Sequence, residues 1–227
     1  MVIKPQEVKN IALLANLSDA EREGVANAMQ VRAFKRNEVV VHKGQPSSEL
    51  YFLLSGRLKV IDYAVDGREI GFIFIDAGSH FGELALIDGK PRSASIVATE
   101  ASKVAILPST AARQLMYAVP SVSEKLLKQL ASIIRENNEH IVMLGNGSAH
   151  SRICILLRKY ARQQDGSILI ERLPTQNEIA IMANTTRETV SRTLNQLIEK
   201  GLIEKNGKRL IILSMEALSK TGAESKL

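Results

Sequence analysis

From about Glu38 to Leu107 the apolar positions come in short runs separated by turn residues: Val39-Val40-Val41, Leu50-Tyr51-Phe52-Leu53-Leu54, and Ile70 to Ile75. Gly44, Gly56, Gly67, Gly78, Gly82 and Gly89 punctuate the stretch, and Asp66-Gly67 reads as a hairpin turn. Short strands interrupted this often predict a small antiparallel barrel or roll. A two-sheet sandwich without a ligand fits the same pattern.

The period then changes. Ser109 to Leu144 is helical, with Pro120 breaking or kinking it. Beyond the proline the apolar residues Leu127, Leu130, Ile134, Ile141 and Leu144 step by 3, 4, 7 and 3, a heptad seam with the polar Asn137 in one position. So narrow a stripe on a long helix predicts pairing with a second copy, a homodimer. The competing reading packs the helix only on its own roll. Gly145-Asn146-Gly147-Ser148 ends the helix and makes a hinge.

The last region starts with an amphipathic helix built on Ile153, Leu156, Leu157 and Tyr160. Two more helices follow. Thr175 to Glu178 and Thr185 to Glu188 both fit the capping-box pattern and mark helix starts ten residues apart. Ala180 is small where two helices must cross, and Asn184 can take the left-handed turn conformation. The second helix is expected to bury Val190, Leu194, Leu197, Ile198 and Leu202, and to present Arg187, Glu188, Ser191, Arg192 and Asn195 on its other face. Asn206-Gly207, between two apolar runs, is a type I′ hairpin signal. Lys220 to Leu227 read as frayed.

Composition narrows the class. The chain has 227 residues, 45% hydrophobic and 24% charged, enough for two soluble domains and against wholesale disorder. No run reaches the roughly 18 apolar residues of a membrane helix, and Met1 to Asn10 carry no signal-peptide core. With one cysteine, Cys154, an intrachain disulfide or a Cys-ligated cluster is excluded, which gives a cytoplasmic profile. Charge is unevenly divided: residues 1–145 hold 17 Lys/Arg against 16 Asp/Glu, residues 146–227 hold 13 against 8. Nearly all of the net +6 therefore lies in the last third, which is expected to meet a polyanion, nucleic acid first.

The most specific segment runs from Phe81 to Ser95, FGELALIDGKPRSAS. Gly82 permits close backbone approach, Glu83 offers a bidentate acceptor suited to a sugar hydroxyl, and Arg92 a planar donor fork for a phosphate. Ser93 adds a hydroxyl, while Ala85 and Ala94 leave room. A desolvated Arg–phosphate pair contributes roughly 1.5–3 kcal/mol. For two isolated residues, a Glu83–Arg92 salt bridge would be the simpler reading. The whole string, however, resembles the phosphate-binding cassette of cyclic-nucleotide-binding domains. That resemblance implies that Glu83 binds the ribose 2′-hydroxyl, and Arg92 and Ser93 the cyclic phosphate. The backbone of Gly82 and Leu84 would assist. It also places Asn137 and Asn138 at the purine end, where amides can donate and accept. Cyclic AMP is the expected effector, with cyclic GMP and cyclic di-GMP left open. Asn137 could equally serve only to fix helix register.

On the second helix of the basic region, a polar row over an apolar underside is what major-groove reading requires: Arg can bridge guanine O6 and N7, and Glu can accept from cytosine N4. An ordinary solvated face, with Glu188 as a capping partner only, would look similar. The run Thr186-Arg187-Glu188-Thr189-Val190-Ser191-Arg192 resembles the recognition helix of the cyclic-AMP receptor and fumarate–nitrate regulator (Crp–Fnr) superfamily of transcription regulators. The likeness covers about residues 30–214 in the family's domain order. It implies an α+β fold: a cyclic-nucleotide-binding β-roll with an N-terminal helical segment (1–108), a dimerisation helix (109–144), a hinge (145–148) and a winged helix-turn-helix (149–227). It further implies base reading by Arg187, Glu188 and Arg192, with Thr186 and Ser191 beside them, and an inverted repeat of TGTGA-like half-sites in double-stranded DNA. The cysteine cluster of the oxygen-sensing branch is missing. The stretch Arg158 to Ile170 is shorter than the family's polymerase-contacting loop, so activation through RNA polymerase and repression both stay open.

No nucleophile–base arrangement or Walker-type loop appears, so no enzyme, catalytic residue or prosthetic group is expected. His42, His80, His140 and His150 show no paired metal spacing, and no metal site is expected. A module that regulates a protein partner, as in the regulatory subunits of cyclic-AMP-dependent kinase, is the alternative from another class.

Overall fold

The structure is a computed structural model that describes residues 3–63, 69–145, 147–164 and 166–223. Its contacts divide the chain into two units, residues 1–133 and 134–227.

The first unit begins with helix α1 (Pro5–Val8), a 3-10 turn (Ala12–Leu14) and α2 (Asp19–Ala28). A reciprocal box closes the start of α2: Ser18 Oγ accepts from Glu21 N–H, and the Glu21 carboxylate accepts from Ser18 N–H. Six strands follow, β1 (Gln30–Phe34), β2 (Val39–Val41), β3 (Leu50–Ser55), β4 (Arg57–Tyr63), β5 (Glu69–Asp76) and β6 (His80–Phe81). A short helix α3 (Glu83–Asp88) precedes β7 (Ser95–Ala98) and β8 (Ser102–Leu107). The strands form two antiparallel sheets, in the orders β1-β8-β3-β6 and β2-β7-β4-β5.

Strand β3 shows why its sequence is apolar without alternation. Side chains along a strand point alternately to opposite faces, and both faces here are covered. Tyr51 and Leu53 join Phe34, Leu58, Ile75, Phe81 and Val104 in one core cluster. Leu50 and Phe52 join the cluster built with the N-terminal helices, which includes Leu14, Leu86, Leu107 and Leu115. Strands β4 and β5 pair antiparallel as expected, but the Asp66-Gly67 turn lies outside the described residues.

Helix α4 (Ser109–Ala118) ends at Val119, whose backbone is extended, and α5 (Pro120–Gly145) begins on Pro120 itself. A proline is tolerated at a first helical position because the N–H it lacks would have no partner there. The proline thus separates two helices, and α5 runs unbroken for 26 residues, about 39 Å. Val122 and Leu126 enter the first unit's helical cluster. The seam residues do not: Leu127, Ile134 and Ile141 are 67%, 61% and 67% exposed, Leu144 is exposed and Leu130 half-buried. Gly145 is the last residue of α5, and Ser148 Oγ caps the next helix by accepting from Ser151 N–H; Asn146 lies outside the described residues.

The second unit continues with α6 (Ala149–Tyr160), β9 (Arg162–Gln164), β10 (Ser167–Ile170), α7 (Gln176–Met182), α8 (Arg187–Glu199), β11 (Ile203–Asn206), β12 (Arg209–Ile212) and α9 (Met215–Ala223). One antiparallel sheet takes the order β11-β12-β10-β9. Four details correct the sequence reading. The chain from 203 to 212 is a hairpin, but Asn206 pairs with Arg209, so the loop is Gly207-Lys208 and only Gly207 has positive φ. Type I′ needs positive φ at both central residues, and a glycine at the first of them suits type II′. The second helix start is capped by Thr186, not Thr185: its hydroxyl accepts from Thr189 N–H, while Thr185 N–H still belongs to the preceding turn, bonded to Ala180 O. Ile198 is exposed, and Leu202 lies beyond the end of α8; Thr193 takes a buried position instead. Residues 220–223 belong to α9, whose Ser214 accepts from Ala217 N–H and whose Leu218 is fully buried; 224–227 lie outside the described residues.

Candidate ligand-binding and nucleic-acid-binding sites

In the first unit the local fold of the Phe81–Ser95 segment is set by two glycines. Gly82 (φ 88°) and Gly89 (φ 69°) both lie in the left-handed region and bracket α3, a helix inside the stretch that the sequence reading took as strand-like. Glu83 opens α3 and is buried, and burial pushes its carboxyl above the usual carboxylate range. Leu84 is exposed, as is Ser93.

Arg92 is 4% exposed. Its Nη1 donates to Gly82 O at 2.8 Å, and its Nη2 to Ser47 Oγ at 2.6 Å and Glu49 O at 2.8 Å. The guanidinium lies 5.0 Å from the centre of the Tyr51 ring, which itself stacks on Phe81. Its ion pair is with the half-exposed Glu49 carboxylate, at 3.4 Å, rather than with Glu83. The Ser47 hydroxyl, ahead of Arg92, holds the Glu49 carboxyl below its ordinary range. Arg92 Nε–H is buried and has no acceptor among the described residues. A cation so enclosed is held in geometry by two neutral carbonyls and a hydroxyl, yet its Nε–H is without an acceptor among the described residues and its contact to an anion is long and partly solvated. That is the environment of a group that binds an anionic ligand.

Gly82, Glu83, Leu84, Arg92 and Ser93 therefore share one corner of the first unit. Asn137 and Asn138 are exposed on α5 in the second unit. Sequence reasoning missed Ser47, Glu49 and Tyr51. They sit more than forty residues before Arg92, and tertiary folding brings them to the cassette: β3 pairs with β6, and the Arg92 backbone bonds to Gly44 N–H and Gln45 O.

In the second unit, Asn184 is left-handed (φ 47°), as its position requires, and turns the chain from α7 into α8. The start of α7 carries the expected box, Thr175 Oγ1 accepting from Glu178 N–H and Glu178 Oε2 from Thr175 N–H. Val190, Leu194 and Leu197 are buried beneath α8. On its outer face Arg187, Glu188, Ser191, Arg192 and Asn195 line one open groove with Gln176, Gln196 and Glu199. Gln176 is a groove residue the sequence did not single out, because it comes from the preceding helix. The Glu188 carboxyl is held below its usual range, by its own backbone N–H first and then by the Thr186 hydroxyl, so it is ionised at neutral pH. The face offers fixed positive and negative groups on a rigid helix. The Thr186 hydroxyl is engaged in capping.

Other side chains stay outside both sites. Cys154 is buried, and burial pushes its thiol up to about 11. His80 is also buried, with its imidazole pushed down to about 4.

Residues 31–118 match the family model of the cyclic nucleotide-binding domain, and residues 151–221 that of the Crp-like helix-turn-helix domain. The chain is 30% identical over 196 residues to the cyclic AMP receptor protein of Thermus thermophilus, a match that spans 86% of this chain and 89% of the relative. It is 29% identical over 191 residues to the CRP-like cAMP-activated global transcriptional regulator of Mycobacterium tuberculosis, spanning 82% and 85%. Among solved structures, a CooA variant from Carboxydothermus hydrogenoformans superposes with a TM-score of 0.79 over 94% of this chain and 95% of its own, at 21% identity, a likeness of fold. These relatives are transcription regulators and not enzymes. A nucleotide-binding domain followed by a Crp-like helix-turn-helix, over a relative's nearly full length, places the chain in the Crp–Fnr superfamily of DNA-binding transcription regulators.

Proposed function

We propose that this regulator works as a homodimer whose affinity for DNA is controlled by cyclic AMP. The observation that carries the effector half is Arg92: a buried guanidinium, braced by Gly82 O, Ser47 Oγ and Glu49 O, whose Nε–H has no acceptor among the described residues. A cyclic phosphate supplies the missing anion there, with Ser93 beside it, and Glu83 accepts from the ribose 2′-hydroxyl. The backbone of Gly82 and Leu84 completes the cradle. Asn137 and Asn138 read the purine edge. The relatives named for cyclic AMP support that nucleotide over others.

The dimer reading rests on the uncovered stripe of α5, where Leu127, Leu130, Ile134, Ile141 and Leu144 follow heptad spacing with Asn137 as the polar position. A second copy of the helix buries that stripe. In this account the roll extends to residue 108, the region 109–144 holds α4 and the dimerisation helix α5, residues 145–148 form the hinge and 149–227 the DNA-binding domain. Ligand biases the hinge by binding the DNA-competent state more tightly than the other. Two α8 helices then enter successive major grooves about 34 Å apart, as in the family's docking geometry. Arg187, Glu188 and Arg192 read bases in TGTGA-like half-sites, with Thr186 and Ser191 beside them. The excess positive charge of residues 146–227 meets the phosphates.

Calorimetric titration of the purified protein with cyclic AMP, with cyclic GMP and cyclic di-GMP in parallel, tests the effector. One site per chain for cyclic AMP, lost in Arg92→Ala, is the expected result. Preference for either of the other nucleotides would reassign the effector, and binding of none would refute the reading of the cassette.

A further inference from the structure

The turn between α7 and α8 fixes where the recognition helix points, so the groups holding that turn decide how well it reads DNA. Part of the turn is self-contained. Asn184 N–H donates to Ile181 O and Thr185 N–H to Ala180 O, around the left-handed Asn184. This is the common closure of a helix C-terminus, and it satisfies the carbonyls of residues 180 and 181. That closure does not use the carbonyls of residues 183 and 184, which follow the end of α7.

Both are taken by one side chain from another helix. Arg152 Nε donates to Ala183 O at 2.7 Å, and Arg152 Nη2 donates to Asn184 O at 3.1 Å. A guanidinium suits this because its donors form a rigid fork, and a cation at a helix C-terminus is favoured by the helix dipole. Arg152 lies on α6 only four residues after Ser148, the cap of that helix, and Arg152 N–H bonds Ser148 O at 3.1 Å. The first turn of α6 is thus tied directly to the turn that aims α8. Ala183 is fully buried, so the contact is anchored at its far end.

We infer that Arg152 is a positioning residue for DNA recognition: it transmits the orientation of α6, the first helix after the 145–148 segment, to α8. The inference rests on the reading of α8 as the recognition helix.

The test uses the full chain with saturating cyclic AMP and two duplexes, one selected from a random pool by the wild-type protein and one of scrambled sequence. Fluorescence anisotropy gives both affinities for wild type, Arg152→Lys and Arg152→Ala. The expected result for Arg152→Ala is about a tenfold loss on the selected duplex, the size of one good charge-assisted contact, and an unchanged affinity for the scrambled one. Arg152→Lys, which keeps the charge but lacks the rigid planar fork, should lie between. Calorimetric binding of cyclic AMP should not move in either variant. If Arg152→Ala does not fold, Arg152→Lys alone decides on the same criterion. Equal losses on the two duplexes, or none on either, would overturn the positioning role. If selection yields no duplex that wild type prefers, the reading of α8 fails first and takes this inference with it.

Discussion

Gly82 and Arg92 fix one another: the Gly82 carbonyl accepts from Arg92 Nη1 at 2.8 Å, and a Cβ on Gly82 would collide with that same nitrogen. The glycine is therefore required twice, for its left-handed φ of 88° and for the space that the guanidinium fills. Gly82→Ala should lower stability by about 1–3 kcal/mol through backbone strain and displace Arg92. Urea unfolding together with cyclic AMP titration checks both effects. Wild-type binding in Gly82→Ala would mean that Arg92 does not need its present bracing.

The exposed stripe on α5 makes a separate claim. Ile134 lies at its middle and is exposed in the single chain. Ile134→Glu should convert the protein to monomer in sedimentation experiments, because it places a charge where two copies would meet. Affinity for an inverted repeat should fall with it, since two heads bind a two-fold site together. A dimer that survives this change at micromolar concentration would put the interface elsewhere.

Arg192 is exposed in the α8 groove and carries the base-reading prediction. Arg192→Ala should cost about 1–3 kcal/mol on the specific duplex and little on random DNA. Equal losses would make it a phosphate contact.

His80 gives a pH signature that does not depend on ligand. It is 6% exposed, its Nε2 has no partner among the described residues, and burial holds its imidazole down to about 4. An unfolded histidine titrates near 6.5, so between those values the unfolded chain binds a proton that the folded chain does not. Stability therefore rises with pH through this window and is lost as pH falls. The raised carboxyl of Glu83 acts in the opposite sense, so the comparison must be between proteins. Wild type should lose about 2 kcal/mol more than His80→Phe between pH 7 and pH 5 in urea unfolding. Parallel pH profiles would show that His80 is hydrated in solution.

Much of this architecture is written in local pattern. The change from short apolar runs to helical spacing, the proline at the start of α5, the seam residues left uncovered and the left-handed Asn184 all follow from rules that act over a few residues. Helix α3 was harder to see, because six residues between two glycines look like loop and their helical geometry depends on Leu86 packing into the core. Strand β9 has no apolar residue and β10 only a three-residue apolar run, too short to announce a strand; β9 pairs with β10, and β10 with β12, some forty residues later. Helix α9 was missed although Ser214 is an adequate cap, because Leu218, fully buried, offers no apolar period by itself. The candidate site divides in the same way. Glu83, Arg92 and the α8 face are contiguous motifs, whereas Ser47, Glu49, Tyr51 and Gln176 join them only through tertiary folding.

The central claim is that Arg92 couples a cyclic nucleotide to DNA binding, and the affinity of the full chain for its selected duplex, with and without cyclic AMP, tests it most directly. Wild type should bind the duplex at least about tenfold more tightly with the nucleotide, a coupling of about 1.4 kcal/mol. Arg92→Ala should bind with its unliganded affinity whether or not cyclic AMP is present. Tight DNA binding that is indifferent to cyclic AMP in wild type, or a normal response in Arg92→Ala, would contradict the account.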